Sequence, residues 1–152
     1  MAMTEVVLVR TISAPPERVF AVISDFARAA ERIRGIDRVE MLTPGPVGIG
    51  TRFRETRTMF GRPASEEMTV ASFDPPRGYQ LLAESHGSRY ETEFDLSPVE
   101  GGTQLRMRFR ALPQTLLAKI LARLLRGMTK KIAALCAADL DDVKAAIEAG
   151  RV

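Results

Sequence analysis

Glu55, Arg57, Glu66 and Tyr90 are the residues whose types and spacing could do chemistry together. A carboxylate can take a proton, a phenol can return one, and a guanidinium can hold an oxyanion between the two steps. Glu55 and Arg57 are separated by one residue, so in a strand they share a face. Glu66 and Tyr90 join them only if strand pairing brings all of them to one end of one wall. Other chemistries find no support. There is no GxSxG nucleophile elbow and no His/Cys cluster with metal-ligand spacing. The glycines of residues 43–48 match neither phosphate-binding pattern, and no helix follows them. No cofactor and no metal are therefore expected. The single histidine, His86, falls in a tight turn and is expected in solvent. The single cysteine, Cys136, falls in a helical pattern and reads as a small buried hydrophobe.

The elements that must position these residues follow from periodicity. Residues 6–12 read as a strand. Ser13-Ala14-Pro15-Pro16 leads into a short helix at 17–24, with Ser13 as its cap and Val19, Phe20 and Ile23 on one face. Asp25 caps a second short helix at 26–33, with Arg28, Glu31 and Arg32 towards water, and Gly35 ends it. Residues 36–42 form an edge strand. Five strands then meander through 49–59, 64–73, 79–85, 88–96 and 102–111, each join carrying Gly or Pro. Phe60-Gly61-Arg62-Pro63, residues 74–78, His86-Gly87 and residues 98–101 are the turns. The segment 112–150 is the longest helical pattern. Leu117, Leu121, Leu124, Met128, Ile132, Leu135, Leu140, Val143 and Ile147 repeat mostly at three and four, which predicts one face buried against a sheet. Gly127 is the expected point of bending.

Alternation allows a register test. Pairing Ser97 with Gly102 sets Phe94 against Leu105, Thr92 against Met107 and Tyr90 against Phe109. It sets Glu93 against Arg106 and Glu91 against Arg108 on the other face, as cross-strand pairing favours. Extended leftwards, Ala83 faces Tyr90, Leu81 faces Thr92, Met68 faces Ala83, Phe53 faces Val70, Glu55 faces Met68 and Arg57 faces Glu66. The inner wall is then apolar at one end, through Phe53, Val70, Leu81, Phe94 and Leu105. It is polar at the other, through Glu55, Arg57, Glu66, Ser85 and Tyr90, while Arg52 and Arg54 point outside. Charges facing a core cost several kcal/mol unless paired or wet, so the polar end predicts a space holding water or ligand. The plainer account is an Arg57–Glu66 bridge near solvent at a strand end. A one-residue bulge in the chain's third strand, 49–59, would turn Glu55 and Arg57 outwards and remove the prediction.

Composition bounds the function. The 152 residues suit one domain, 1–152, with 45% hydrophobic residues and a net charge of +3. Arginines interspersed with acids, without a polybasic tail, argue against nucleic acid. No apolar run approaches a membrane span, the start does not read as a signal peptide, and one cysteine permits no internal disulfide. A cytoplasmic location is expected. Lys119, Arg123, Arg126 and Lys130 form a basic stripe opposite the leucines of the last helix. Its ordinary meaning is a solvated face; a weak attraction to anionic lipid is the alternative.

The order strand, two short helices, six strands, long helix is the helix-grip plan of the α+β class. Ile12-Ser13-Ala14-Pro15-Pro16 with Val19-Phe20 and Asp25 resembles the entry segment of the START-like (SRPBCC) superfamily. Gly48-Ile49-Gly50-Thr51-Arg52-Phe53-Arg54 is similar to its third-strand opening, and Phe73-Asp74-Pro75-Pro76-Arg77 to its fourth-to-fifth turn. The resemblance covers essentially the whole chain. It implies a curved, seven-stranded antiparallel sheet gripping the last helix around a cavity for a small hydrophobic ligand, and it carries over no catalytic residue.

Two functions follow as expectations. In the first, the chain binds a lipid, quinone or polyketide-like molecule. Phe53, Met68, Val70, Leu81, Phe94, Met107 and Phe109 would line the cavity with Leu8 and Thr92. Leu117, Leu121 and Leu124 would close it, and Arg57 would orient an oxygenated head group. In the second, the chain is a polyketide cyclase/aromatase or dehydratase, with Glu55 or Glu66 as base, Tyr90 as acid and Arg57 as enolate stabiliser. Arg57 beside both acids would then hold them ionised. Either way the partner is a small hydrophobic molecule, and the protein is a monomer or a homodimer paired through the 36–42 edge.

Overall fold

The computed structural model describes residues 4–59 and 61–151. Seven strands form one antiparallel sheet in the order β1-β7-β6-β5-β4-β3-β2. They are β1 (Thr4–Ile12), β2 (Arg38–Met41), β3 (Arg52–Met59), β4 (Arg62–Asp74), β5 (Gly78–Ser85), β6 (Ser88–Val99) and β7 (Gly102–Pro113). Between β1 and β2 lie α1 (Pro16–Ile23), a 3-10 turn at Phe26–Arg28 and α2 (Ala29–Arg32). After β7 come α3 (Leu116–Leu124), a second 3-10 turn at Arg126–Met128 and α4 (Thr129–Glu148). The curved sheet closes on α4, which is the helix-grip fold.

The core sits between α1, α4 and the inner sheet face. Ile12, Val19, Phe53, Val70 and Leu105 are almost wholly buried, and α4 adds Leu140, Val143, Ala146 and Ile147. Phe26 stacks on Phe53 with ring centroids 4.4 Å apart, and Tyr79 meets Phe26 edge-on. These contacts lock the helical insertion to the sheet. Surface contacts hold α4, among them Arg10 of β1 to Asp141 at 2.7 Å, Arg34 to Asp142 at 2.9 Å and the Ser13 N–H to Glu148 at 2.9 Å.

Pairing follows the expected faces with two shifts. Ala83↔Tyr90 and Leu81↔Thr92 pair as the register test placed them. Between β6 and β7, however, Val99 pairs with Gly102, so Phe94 faces Met107, Thr92 faces Phe109 and Tyr90 faces Ala111. Between β3 and β4, Met59 pairs with Arg62, so Phe53 faces Met68, Glu55 faces Glu66 and Arg57 faces Ala64. Both turns are tighter than expected, and Pro63 and Pro98 lie inside strands; the Phe60 position of the first turn lies outside the described residues. A shift of two residues keeps every side chain on its face, so inside and outside survive. The sheet's irregularity falls in β4, between Val70 and Ser72, and leaves the β3 parity intact.

Outside, the arginines pair as cross-strand neighbours, with Arg106 on Asp95, Arg108 on Glu93 and Glu5, and Arg110 on Glu91. In the insertion, neither Ser13 nor Asp25 caps a helix by its side chain. Pro15 precedes a helix whose first residue, Pro16, lacks only an N–H that would be orphaned anyway. Arg32 turns inwards, not to water. It is buried, and its Nη2 donates to Asp25 at 3.2 Å.

The largest correction concerns the segment 112–150. It is not one helix. β7 runs through Pro113, α3 ends at Leu124, and α4 begins at Thr129. The break falls at Gly127, whose low helix propensity suits a discontinuity. It separates a buried helix from an exposed one.

Candidate functional site

A cavity of about 310 Å³ lies between the inner sheet face, the helical insertion and α4. Phe53, Met68, Leu81, Phe94, Met107 and Phe109 come from the sheet. Ile132, Leu135, Cys136, Leu140 and Val143 come from α4, and Val22, Ile23, Phe26, Ile33 and Ile36 close the insertion side. Glu55, Arg57, Glu66, Asp139 and Thr92 are also on the wall. The walls are thus apolar, with charge gathered where β3, β4 and α4 meet and a further cation, Arg32, on the insertion side, its Nε buried without a hydrogen-bond partner among the described residues.

The charged end is built around Arg57. Its Nε donates to Glu55 at 2.6 Å along the same strand. Its Nη1 and Nη2 donate to the two oxygens of Asp139 at 3.1 and 2.6 Å, a bidentate bridge from sheet to α4. The sequence-expected Arg57–Glu66 bridge is absent, because Glu66 stands opposite Glu55 and Arg57 opposite Ala64. Burial alone would lower the Arg57 pKa. The hydrogen bonds to Asp139 and Glu55 and the charges of both acids outweigh it and raise the pKa, so the guanidinium is permanently charged.

Glu66 is left over. It faces Glu55 across the strands and has no hydrogen bond or ion pair among the described residues. Burial first, and the charge of Glu55 second, raise its pKa; His86 and Arg57 oppose this more weakly. Arg57 therefore does not hold Glu66 in an ordinary ionised state. Its charge is spent on Glu55 and Asp139, and burial leaves Glu66 readier to carry a proton than an ordinary carboxyl.

The other expected site residues divide. Phe53, Glu55, Arg57, Glu66, Met68, Leu81, Thr92, Phe94, Met107 and Phe109 all stand on the cavity wall. Val70 does not; it packs in the core beside the β4 irregularity. Tyr90 stacks on Phe109 at 6.1 Å instead of lining the space. Burial, then the Glu66 charge, raise its pKa, and it remains a neutral phenol. Leu8 packs against the core cluster. Leu117, Leu121 and Leu124 point to solvent, because α3 is broken from α4 and cannot follow it onto the sheet. His86 is exposed, with Nδ1 2.6 Å from the Ser85 hydroxyl.

Residues of the site also escaped the sequence reading, Arg32 among them, whose side chain was expected in water and lies on the cavity wall. Asp139 sits four after Leu135 and four before Val143, a carboxylate inside the apolar stripe, and that interruption was its signal. Tyr79 is buried on the wall and donates to the Ile23 carbonyl at 2.9 Å; burial and the Glu55 charge raise its pKa. Gly35 lies against the cluster. A Cβ there would come within 3.0 Å of Arg57 Nη1 and 3.3 Å of Asp139 Oδ1, which a sequence without contacts cannot disclose. Cys136 also lines the cavity, its thiol pushed up to about 11 by burial and by Asp139, so it stays protonated and poorly nucleophilic.

A curved antiparallel sheet wrapped on a C-terminal helix over an internal cavity places this protein in the START-like superfamily. Within it, the chain belongs to the family described as polyketide cyclase / dehydrase and lipid transport, whose model matches residues 3–148. No curated protein matches the chain. Among solved structures it is similar to the Zhui aromatase/cyclase from Streptomyces sp. R1128, at 21% identity and a TM-score of 0.74, over 94% of this chain and 92% of that one. It is similar to the di-domain ARO/CYC StfQ from the steffimycin biosynthetic pathway, at 16% identity and a TM-score of 0.76, with 99% of this chain covering 53% of that one. A START superfamily protein from Mycobacterium smegmatis aligns at 17% identity and a TM-score of 0.68, over 97% and 96% of the two chains. At these identities the likeness is one of fold.

Proposed function

We propose that the cavity binds one small apolar molecule, lipid-, quinone- or polyketide-like, whose polar end is neutral and meets Glu66. The observation that carries this is the composition of the wall: apolar surfaces around a space of about 310 Å³, with Glu55, Glu66 and Asp139 around a single Arg57. That volume is at the small end of ligand pockets and suits a drug-sized molecule. The charge balance selects the polar end. With Arg57 committed to two acids and Arg32, the second cation on the wall, paired with Asp25, an incoming carboxylate meets an excess of negative charge at the Glu66 end. A carbonyl or phenol can instead exchange a hydrogen bond with Glu66, as acceptor from its protonated form or donor to its ionised form. Arg57 thus sets the charge of the site and does not itself hold the head group.

Glu66 also favours a second reading, cyclase or dehydrase chemistry. A half-buried, unpaired carboxyl with a raised pKa can take a proton from carbon beside a ligand carbonyl and return it to a leaving hydroxyl. Against it, the enolate oxygen would need a positioned donor, and three of the five Arg57 N–H groups are already given to Glu55 and Asp139. Binding is therefore the better supported function.

Native mass spectrometry of protein purified from cells, with extraction of bound molecules, tests the proposal. The expected result is a neutral apolar compound at one per chain. A fatty acid or other carboxylate as the tightest ligand would overturn the charge argument. Turnover of a poly-β-keto thioester mimic, lost in Glu66→Gln with binding retained, would put the second reading first.

A further inference from the structure

We infer that α3 is a docking helix for an anionic lipid bilayer, lying in the membrane surface with its leucines down. At about 3.6 residues per turn, Leu116, Leu117, Ile120, Leu121, Leu124 and Leu125 occupy one half of α3 and its last turn. All are exposed, Leu116 at 76% and Leu124 at 74%. The helix rests on the body by its opposite, narrow edge, where Ala118 is buried and Ala122 half-buried. An ordinary surface helix turns its leucines to the core. Here the alanines face the protein and the leucines face out, a patch that a chain without a docking partner would not favour.

The helix is held in this posture from its start. The Gln114 and Thr115 N–H groups donate to the Gly87 carbonyl at 2.8 and 3.2 Å, and the Thr115 hydroxyl caps the first turn by accepting from Ala118 N–H at 3.1 Å. Gly87 has φ +77°, and a Cβ there would lie 2.5 Å from the Thr115 hydroxyl, so the β5–β6 turn is shaped to receive α3. Beyond the break, Leu135 of α4 is half-exposed and also lines the cavity, so the docking surface ends beside the cavity wall.

Charge selects the occupant. Residues 113–138 carry Lys119, Arg123, Arg126, Lys130 and Lys131 and no acidic residue. Lys119, Arg123, Arg126 and Lys130 are exposed and in no ion pair among the described residues. Arg123 and Lys119 border the apolar half at the Leu116 edge, where their stems can lie along it with the charges at headgroup level. A second copy of the chain on this face would set these cations against the same cations, so self-association is disfavoured. No helix among the described residues is long and apolar enough to cross a membrane, which suits a helix lying in the surface. The inference is independent of what the cavity holds.

The test is co-sedimentation of the full chain with phosphatidylcholine vesicles, with and without phosphatidylglycerol, at low and high salt. Binding is expected only with phosphatidylglycerol, weakening as salt rises. R123E/R126E and, separately, L117E/L124E are expected to lower partitioning at least about tenfold. R52E/R54E on the outer sheet face makes the same change in net charge and is expected to stay within about twofold. The substituted residues on α3 are exposed, and unchanged circular dichroism confirms folding. No sedimentation with anionic vesicles at low salt overturns the inference, and so does an equal loss in R52E/R54E. A dimer in analytical ultracentrifugation that L117E/L124E dissolves, without vesicle binding, would assign the face to a second copy instead.

Discussion

The helices α3 and α4 continue one apolar periodicity in the sequence and meet opposite surroundings. On α4, Leu140 is 2% exposed, and Val143, Ala146 and Ile147 fill the grip of the sheet. On α3, Leu117 and Leu124 stand in solvent. α4 also carries Asp139 inwards to Arg57, while α3 carries its cations outwards. The difference teaches that a repeat at three and four specifies that a helix has an apolar side, but not which neighbour covers it. What decides is the other side. The face of α3 against the body is alanine, and alanines permit close approach without requiring burial.

The largest expected effect separates the two helices directly. Leu140→Ala should destabilise the fold by about 3 kcal/mol, since it removes a buried side chain and leaves a void. Urea unfolding should show the midpoint fall with the slope unchanged. A loss below roughly 1 kcal/mol would mean that α4 is not the gripped helix.

Next comes the ion cluster that only α4 completes. Arg57→Ala leaves Glu55, Glu66 and Asp139 together without their cation. The penalty for orphaned buried charge is about 3–5 kcal/mol, and partial exposure here reduces it to roughly 2 kcal/mol. Acid should partly restore the variant, because protonation relieves carboxylates that repel one another. A variant equally impaired at acid and neutral pH would argue that the packing of the Arg57 stem, not its charge, is what matters. Gly35→Ala crowds the same guanidinium from the other side and should act in the same direction, less strongly.

How much of this was legible follows from the same two helices. Hydrophobic alternation in the strands revealed the sheet, its faces and the polar end of the wall, because a two-residue slip in pairing leaves faces unchanged. That same tolerance hid the pairing itself. Glu55 meets Glu66, and Arg57 meets neither Glu66 nor any other cross-strand acid. Partner choice depends on the turn length at residues 59–62, which composition does not determine. Asp139 and Gly35 reach Arg57 from distant parts of the chain, and no local pattern encodes that approach. The leucines of α3 face solvent although their spacing continues the stripe of a core helix, because periodicity does not distinguish a gripped helix from its exposed neighbour.

The smallest effect is the most discriminating for the site. In the folded chain Glu66 holds its proton to higher pH than in the unfolded chain, so the folded state binds more protons across that window. Stability then falls as pH rises through the window, and the cost is complete above the raised folded pKa. Glu66→Gln removes the ionisable group and so the cost. Its melting temperature should exceed the parent's by about 1–3 °C near neutral pH. The gain should shrink as pH falls through the raised folded pKa and vanish towards about pH 3, below the unfolded value, where the parent carboxyl is protonated in both states. The comparison sharpens in an Asp139→Asn background. There α4 no longer claims Arg57, the guanidinium is freer to serve Glu66, and the gain from Glu66→Gln should shrink. An undiminished gain would mean that Arg57 stays with Glu55 whatever α4 offers, and that the excess of carboxylates is not balanced across the helix.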